Sequence, residues 1–247
     1  MIIHDARNPR AAALREALER DVPGFDPEGL HVVIGGDGFL LQTVGQHREP
    51  CAFLGLNAGT VGFLLNDVDE WPRVVDRLSR GAWVVQAFPL LEATISGTNG
   101  DVVDLAMNDV YLERMTGQTA RVRVTVDQQL VVDPLVADGF LLSTALGSTG
   151  YGFSAGGPAC HPLLPLMTMT AICPHHPRMP PCALPLSSVV VAEVVGGAHR
   201  PVRAVVDGRE LDNVSRVEVR LATQTVRLAL LEGHDFTSRM VRKILTP

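Results

Sequence analysis

The chain has 247 residues, 46% of them hydrophobic and 19% charged, and its 21 basic and 27 acidic residues give a formal net charge of -6. At about 150 residues per domain, this is one large domain or two compact ones, long enough to bury a sizeable core. The acidic balance argues against a nucleic-acid partner. No apolar run approaches the roughly 18 residues of a membrane span, and Met-Ile-Ile-His-Asp at the start lacks the basic-then-apolar pattern of a secretory signal.

Residues 9–20 are rich in alanine, leucine, arginine and glutamate and predict a helix. Leu30 to Ile34 is a short apolar run ending in Gly35-Gly36-Asp37-Gly38, and Phe39 to Val44 reads as helical. A second apolar run, Cys51 to Leu56, ends in Asn57-Ala58-Gly59. Residues 69–80 form an amphipathic helix with Trp71, Val74, Val75 and Leu78 on one face and Gly81 placed to cap it. Strands alternating with helices predict a parallel sheet. The character changes near Pro89, beyond which short β-rich runs are joined by turn residues. Arg121 to Val126 and Leu130 to Val132 flank Asp127-Gln128-Gln129, a hairpin pattern, and Val202 to Val206 leads into the turn Asp207-Gly208. Val217 to Leu221 and Val226 to Leu231 read as a further strand pair, and Asp235 to Leu245 has helical character. The fold class expected is an α/β domain over residues 1–88 followed by an all-β, sandwich-like domain over residues 89–232, with the tail 233–247 packing back on the first.

Twenty of the 21 basic residues are arginine, and the only lysine is Lys243. A P-loop needs a lysine directly after its glycines and is absent. Positive charge beside a phosphate must come from arginine, a metal ion or backbone N–H groups. Cys51, Cys160, Cys173 and Cys182 contain no C-x-x-C pair, which suggests a reducing, cytoplasmic setting without a disulfide framework. His161, His175 and His176 lie near three of these cysteines, but the spacings fit no regular ligand pattern, and no metal site is assigned.

Four segments could carry chemistry. Gly35-Gly36-Asp37-Gly38 sits between a strand and a helix, where small residues and free N–H groups allow close approach of an anion. A carboxylate there would repel a phosphate unless it orients a metal-bound phosphate or takes a proton from an attacking hydroxyl; the plainer reading is a tight turn with Asp37 as an N-cap. Asn57-Ala58-Gly59-Thr60-Val61-Gly62-Phe63-Leu64 also follows a strand, as if two loops met at one carboxyl edge; otherwise it is a glycine-containing loop with Phe63 in the core. Asn108-Asp109 interrupts an apolar strand, and its partners are either ribose hydroxyls and an adenine edge or nearby backbone. The run from Asp138 through Ser143-Thr144-Ala145-Leu146-Gly147-Ser148-Thr149-Gly150-Tyr151 to Ser154 offers close backbone approach, hydroxyls and a flat ring. That suits a nucleotide, or else it is a hydroxyl-rich turn opening a helix.

In their order and joint presence, these motifs resemble the NAD kinase family, from about residue 30 to the end. Ile172-Cys173-Pro174-His175, Ala183-Leu184-Pro185 and Asp207-Gly208 add to the match. The resemblance implies a two-domain architecture and assembly as a homodimer or homotetramer. It also implies transfer of a phosphate from ATP or inorganic polyphosphate to the 2'-hydroxyl of the adenosine ribose of NAD, giving NADP. It gives Asp37 the role of general base. Gly35, Gly36, Gly38, Asn57, Gly62 and Phe63 fall to the phosphate and nucleotide, and Asn108, Asp109, Asp138, Thr149, Tyr151 and Ser154 to NAD. Mg²⁺ is expected to arrive with the donor. Three positions depart from the family pattern: Phe39 stands where threonine is usual, Ala145 where proline is, and Leu146 where a second threonine is. These losses of hydroxyl contacts raise an alternative, a catalytically weak NAD(P)-binding sensor of the same fold. A kinase acting on another hydroxyl would share only the Gly-Gly-Asp-Gly turn.

Overall fold

The structure, a computed structural model, describes residues 1–47, 51–98 and 100–246. It divides into two compact units, Met1–Phe88 with Val226–Pro247, and Pro89–Thr225.

In the first unit, β1 (Ile2–His4), β2 (Leu30–Gly35) and β3 (Ala52–Asn57) alternate with α1 (Pro9–Asp21), α2 (Asp37–Gln46) and α3 (Trp71–Ser79). The strands pair in parallel, and the register sets Gly35 opposite Asn57 at their carboxyl ends. Every residue of β2 and β3 is buried, as expected for a parallel sheet covered on both faces. Helix α1 starts at Pro9 behind Asn8, whose side chain accepts from the Arg10 amide. Helix α3 buries Val74 and Leu78, and Gly81 ends it with a φ of +65°.

The second unit is built from strands. They are the latter part of β4 (Trp83–Gly97), then β5 (Gly100–Ala106), β6 (Asp109–Arg114), β7 (Ala120–Val126), β8 (Gln129–Ala137) and β9 (Gly139–Thr144). After the short helix α4 (Tyr151–Ser154) come β10 (Leu166–Ile172), β11 (Cys182–Pro185), β12 (Val190–Val194), β13 (Val202–Val206), β14 (Arg209–Leu211) and most of β15 (Val214–Leu231). One sheet runs β11-β10-β9-β6-β13-β14; in the other, β15-β12-β7-β8 are neighbours and β4 pairs with β5 and β15. Alternate residues of both sheets, among them Ile95, Val124, Phe140, Met167 and Val217, share one apolar core, which makes a sandwich. The β7–β8 turn is Asp127-Gln128, both left-handed, so Gln129 already belongs to the strand. The pair expected at Val217–Leu221 and Val226–Leu231 is instead one continuous strand, β15. The polar run Thr223-Gln224-Thr225 lacks glycine or proline, and its exposure reflects one wet face rather than a turn.

The end of β15 returns to the first unit, where Leu228 lies opposite Phe53 in parallel register. Helix α5 (Phe236–Met240) follows, then a π-helical turn, Val241–Leu245. Asp235 caps α5 by accepting from the Thr237 and Ser238 amides, and Phe236 packs edge-on against Phe88 and tilted against Phe63.

Candidate functional site

The first unit brings the two glycine-containing loops together. β2 and β3 are neighbours, so the Gly35-Gly36-Asp37-Gly38 turn and the Asn57–Leu64 loop leave the same sheet edge, and the Ala58 amide donates to the Gly35 carbonyl. The approach is close: a Cβ on Gly59 would lie 2.9 Å from the Gly36 Cα. Gly62 has a φ of +57°, and a Cβ there would overlap the Asn57 side chain at 2.1 Å. Asn57 in turn accepts from the Gly59 amide through Oδ1. Asp37 is not an N-cap. Gly36 holds that position, and Asp37, the first helical residue, turns its carboxylate across to the other loop. There Oδ2 accepts from the Phe63 amide at 3.0 Å and Oδ1 from the Leu64 amide at 2.9 Å. Two successive amides therefore fix the plane of the carboxylate and leave each oxygen a further lone pair. The Phe63 ring is buried at 3% exposure against Phe236. Phe39 lies across Gly35, where a Cβ would meet its ring at 2.6 Å. In place of a hydroxyl, an apolar ring lies against the turn.

The second unit gathers Asn108-Asp109, at the start of β6, with the hydroxyl-rich run that leaves β9. Asp109 pairs with Ser143, the Asn108 carbonyl accepts from the Thr144 amide, and the Thr144 hydroxyl donates to the Met107 carbonyl and accepts from the Gly147 amide. Gly147 presses on Asn108 so closely that a Cβ would stand 2.3 Å from its carbonyl oxygen. Asn108 Oδ1 is buried without a hydrogen-bond partner. Asp109 is 7% exposed, and burial, reinforced by the charge of Asp207, pushes its pKa up to about 7. Both are groups that a ligand's hydroxyl or amino hydrogens would satisfy. Thr149 ends a short 3₁₀ turn, and Tyr151 and Ser154 bound α4 and are exposed. The Tyr151 ring meets Tyr111 edge-on at 4.9 Å. Burial lifts both phenols, Tyr111 to about 12, so both stay protonated donors at neutral pH. Asp138 is ion-paired with Arg114 at 2.7 Å, and His175 lies 3.8 Å from it. Ala145 and Leu146 are buried, so the positions that depart from the family pattern serve the core of this unit.

Two groups escaped the sequence reading. Asp207 was legible as a turn residue. Its carboxylate, however, accepts the amides of Met107 at 2.6 Å, Asn108 at 2.9 Å and Asp109 at 3.0 Å, and so shapes the Asn108-Asp109 backbone. Its pKa is raised, because burial outweighs those three bonds. The aspartate in a left-handed turn, at a φ of 45°, is the local signal. Lys243, far down the tail in sequence, reaches the Val61 carbonyl and Asp67. Among the described residues, no three His, Cys, Asp or Glu side chains converge to hold a metal ion, and the four cysteines are free thiols.

The α/β unit with its paired glycine loops and the sandwich with its buried Asn-Asp pair form a two-domain fold of the nucleotide-kinase kind. Residues 107–230 match the family described as the ATP-NAD kinase C-terminal domain. The chain is 39% identical over 236 residues to the NAD kinase of Rhizorhabdus wittichii, covering 91% of this chain and 89% of that protein. It is 35% identical over 250 residues to the NAD kinase of Zymomonas mobilis, covering 95% and 93%. Its fold is similar to an Archaeoglobus fulgidus NAD kinase solved with ATP, with a TM-score of 0.78 at 21% identity over 100% of this chain and 98% of that one. It is similar also to yeast NADH kinase solved with NADH, with a TM-score of 0.78 at 24% identity over 90% and 68%. The chain belongs to the NAD kinase family.

Proposed function

We propose that this NAD kinase family member phosphorylates NAD to NADP with ATP, using Asp37 as the general base. The observation that carries the reading is the Asp37 carboxylate, set between two glycine loops and oriented by two backbone amides. A ribose hydroxyl is a weak nucleophile at neutral pH. A carboxylate within hydrogen-bond reach takes its proton as the bond from the 2'-oxygen to the γ-phosphorus forms and the bond to the β-bridging oxygen breaks, releasing ADP. Such assistance is worth about 100- to 10,000-fold. Gly35, Gly36, Gly38, Asn57 and Gly62 would line the phosphates, where their lack of bulk and their N–H groups fit an anion. Phe63, expected beside the adenine, would then act through the wall of that site, given its burial.

Asn108 and Asp109 would hold the adenosine hydroxyls. The buried Asn108 Oδ1 without a partner and the raised Asp109 support this. Thr149, Tyr151 and Ser154 would flank the adenine ribose, and Asp138, with Arg114, the nicotinamide end. Mg²⁺ would enter bound to the donor and neutralise charge on the transferred phosphoryl group; the protein offers no carboxylate cage of its own to favour a resident ion. Polyphosphate remains open as a second donor. Self-association into a dimer or tetramer is supported by exposed Val102, Val103, Leu130 and Val131. Free thiols suit the cytoplasm.

The test is NADP formation by purified protein from NAD and Mg²⁺, with ATP in one set and polyphosphate in another, read out by an NADP-specific dehydrogenase. NADP from ATP is expected. Tight NAD binding with no product from either donor would replace the kinase by the sensor reading, with Phe39 and Leu146 as its physical basis.

A further inference from the structure

The bonds to Asp37 do not end at the two amides. A trans peptide points its carbonyl and its N–H to opposite sides. The Phe63 N–H that donates to Asp37 belongs to the same peptide plane as the Gly62 carbonyl, and the Leu64 N–H to the same plane as the Phe63 carbonyl. Both carbonyls are held from behind by the C-terminal segment. Arg239 Nη1 donates to the Gly62 carbonyl at 2.6 Å and to the Phe63 carbonyl at 3.4 Å. Lys243 Nζ donates to the Val61 carbonyl and, at 3.4 Å, to that of Gly62. Asp67 joins the two cations, lying 3.0 Å from Arg239 and 2.8 Å from Lys243.

The geometry points to Arg239 and Lys243 as positioning residues for the phosphoryl-transfer step. They anchor and polarise the two peptide planes that orient the Asp37 carboxylate. This rests on the reading of Asp37 as the base.

Three observations support it. Arg239 is 3% exposed, an unusual cost for a cation unless its bonds are specific. Burial lowers its pKa, and the charges that face it are Asp67, Arg242 and Asp37 itself. At Asp67, burial alone would raise the pKa, but Lys243, Arg239 and Arg242 hold it below the usual carboxylate value, so the cluster is charged at neutral pH. A charge-assisted bond to a carbonyl strengthens the donor at the other end of the same amide. The chain's only lysine is thus spent on a loop that a salt bridge alone would not require. The two cations touch neither substrate nor donor in this scheme; they act through the backbone.

The experiment compares NADP formation and NAD binding in the full chain for wild type, Lys243→Met, Lys243→Arg, Asp37→Asn and the double variant Asp37→Asn/Lys243→Met. Lys243 is chosen because its partial exposure lets the variant fold, as checked by an unchanged circular dichroism spectrum; Arg239→Lys serves as a second probe. Lys243→Met is expected to lower kcat by 10-fold or more, with KM for NAD within about 3-fold, and Lys243→Arg to restore most of it. In the Asp37→Asn background, Lys243→Met is expected to cost nothing further, because the group it positions is gone. A loss that multiplies with that of Asp37→Asn, or an unchanged kcat in both Lys243→Met and Arg239→Lys, overturns the positioning role. Unchanged turnover in Asp37→Asn alone would instead overturn the reading of Asp37 on which it rests.

Discussion

Replacing Asp109 by asparagine separates the cost of a buried carboxylate from its use. The folded protein raises the Asp109 pKa from 3.8 to about 7, first by burial and then through the Asp207 charge. In the unfolded chain it titrates near the ordinary value of about 3.9. A carboxylate with a raised folded pKa costs nothing below about pH 3.9, costs progressively more as the pH rises, and costs its maximum above about pH 7. Three units at about 1.4 kcal/mol each give about 4 kcal/mol at pH 8 and about 1.5 kcal/mol at pH 5. The asparagine amide must itself be buried, which costs about 1–2 kcal/mol at either pH. Asp109→Asn is therefore expected to be near neutral at pH 5 and stabilising by about 2–3 kcal/mol at pH 8, roughly a 1 M rise in urea midpoint. NADP formation should fall at both pH values, since the ribose loses its acceptor. Urea midpoints at pH 5 and pH 8, beside the coupled assay, decide it. A stability change that is the same at both pH values would refute the assignment of the raised pKa to this site.

Further expectations follow from the same geometry. Asp207→Asn places an amide donor against the Met107 N–H, and should cost about 2 kcal/mol of stability and raise KM for NAD at least 10-fold; an unchanged KM would detach Asp207 from the nucleotide site. Gly147→Ala forces a Cβ to 2.3 Å from the Asn108 carbonyl, so NAD affinity measured by calorimetry should drop sharply while the first unit's stability is kept. His234 is held near pKa 4 by burial and then by Arg239, below its unfolded value of about 6.5. Its contribution is therefore intact above about pH 6.5 and lost as the pH falls toward 4. His234→Leu should remove about 2 kcal/mol of the acid destabilisation between pH 7 and pH 4.5, read from urea midpoints.

The parts of the site that a short run of sequence can encode were readable. Gly35-Gly36-Asp37-Gly38 after an apolar strand placed the carboxylate at a sheet edge, and the second loop after a second buried strand set the two side by side. What holds the carboxylate was not readable, because its partners lie 26 and 27 residues away and are backbone amides, which leave no mark in composition. The same applies to Asp207, whose partners are 98 to 100 residues off, and to Lys243, which reads as a tail residue until the fold carries it to Val61. The one misread element, the break expected within β15, came from taking a polar run as a turn when it was one face of a long strand.

The central claim is that Asp37 takes the proton of the ribose hydroxyl, and the turnover of Asp37→Asn, set beside its NAD affinity, tests it most directly. Asparagine keeps the shape and can still accept one of the two amide bonds, but it cannot take the proton. The account predicts a fall in kcat of at least 100-fold with Kd for NAD changed less than about 3-fold. Turnover equal to wild type would contradict it.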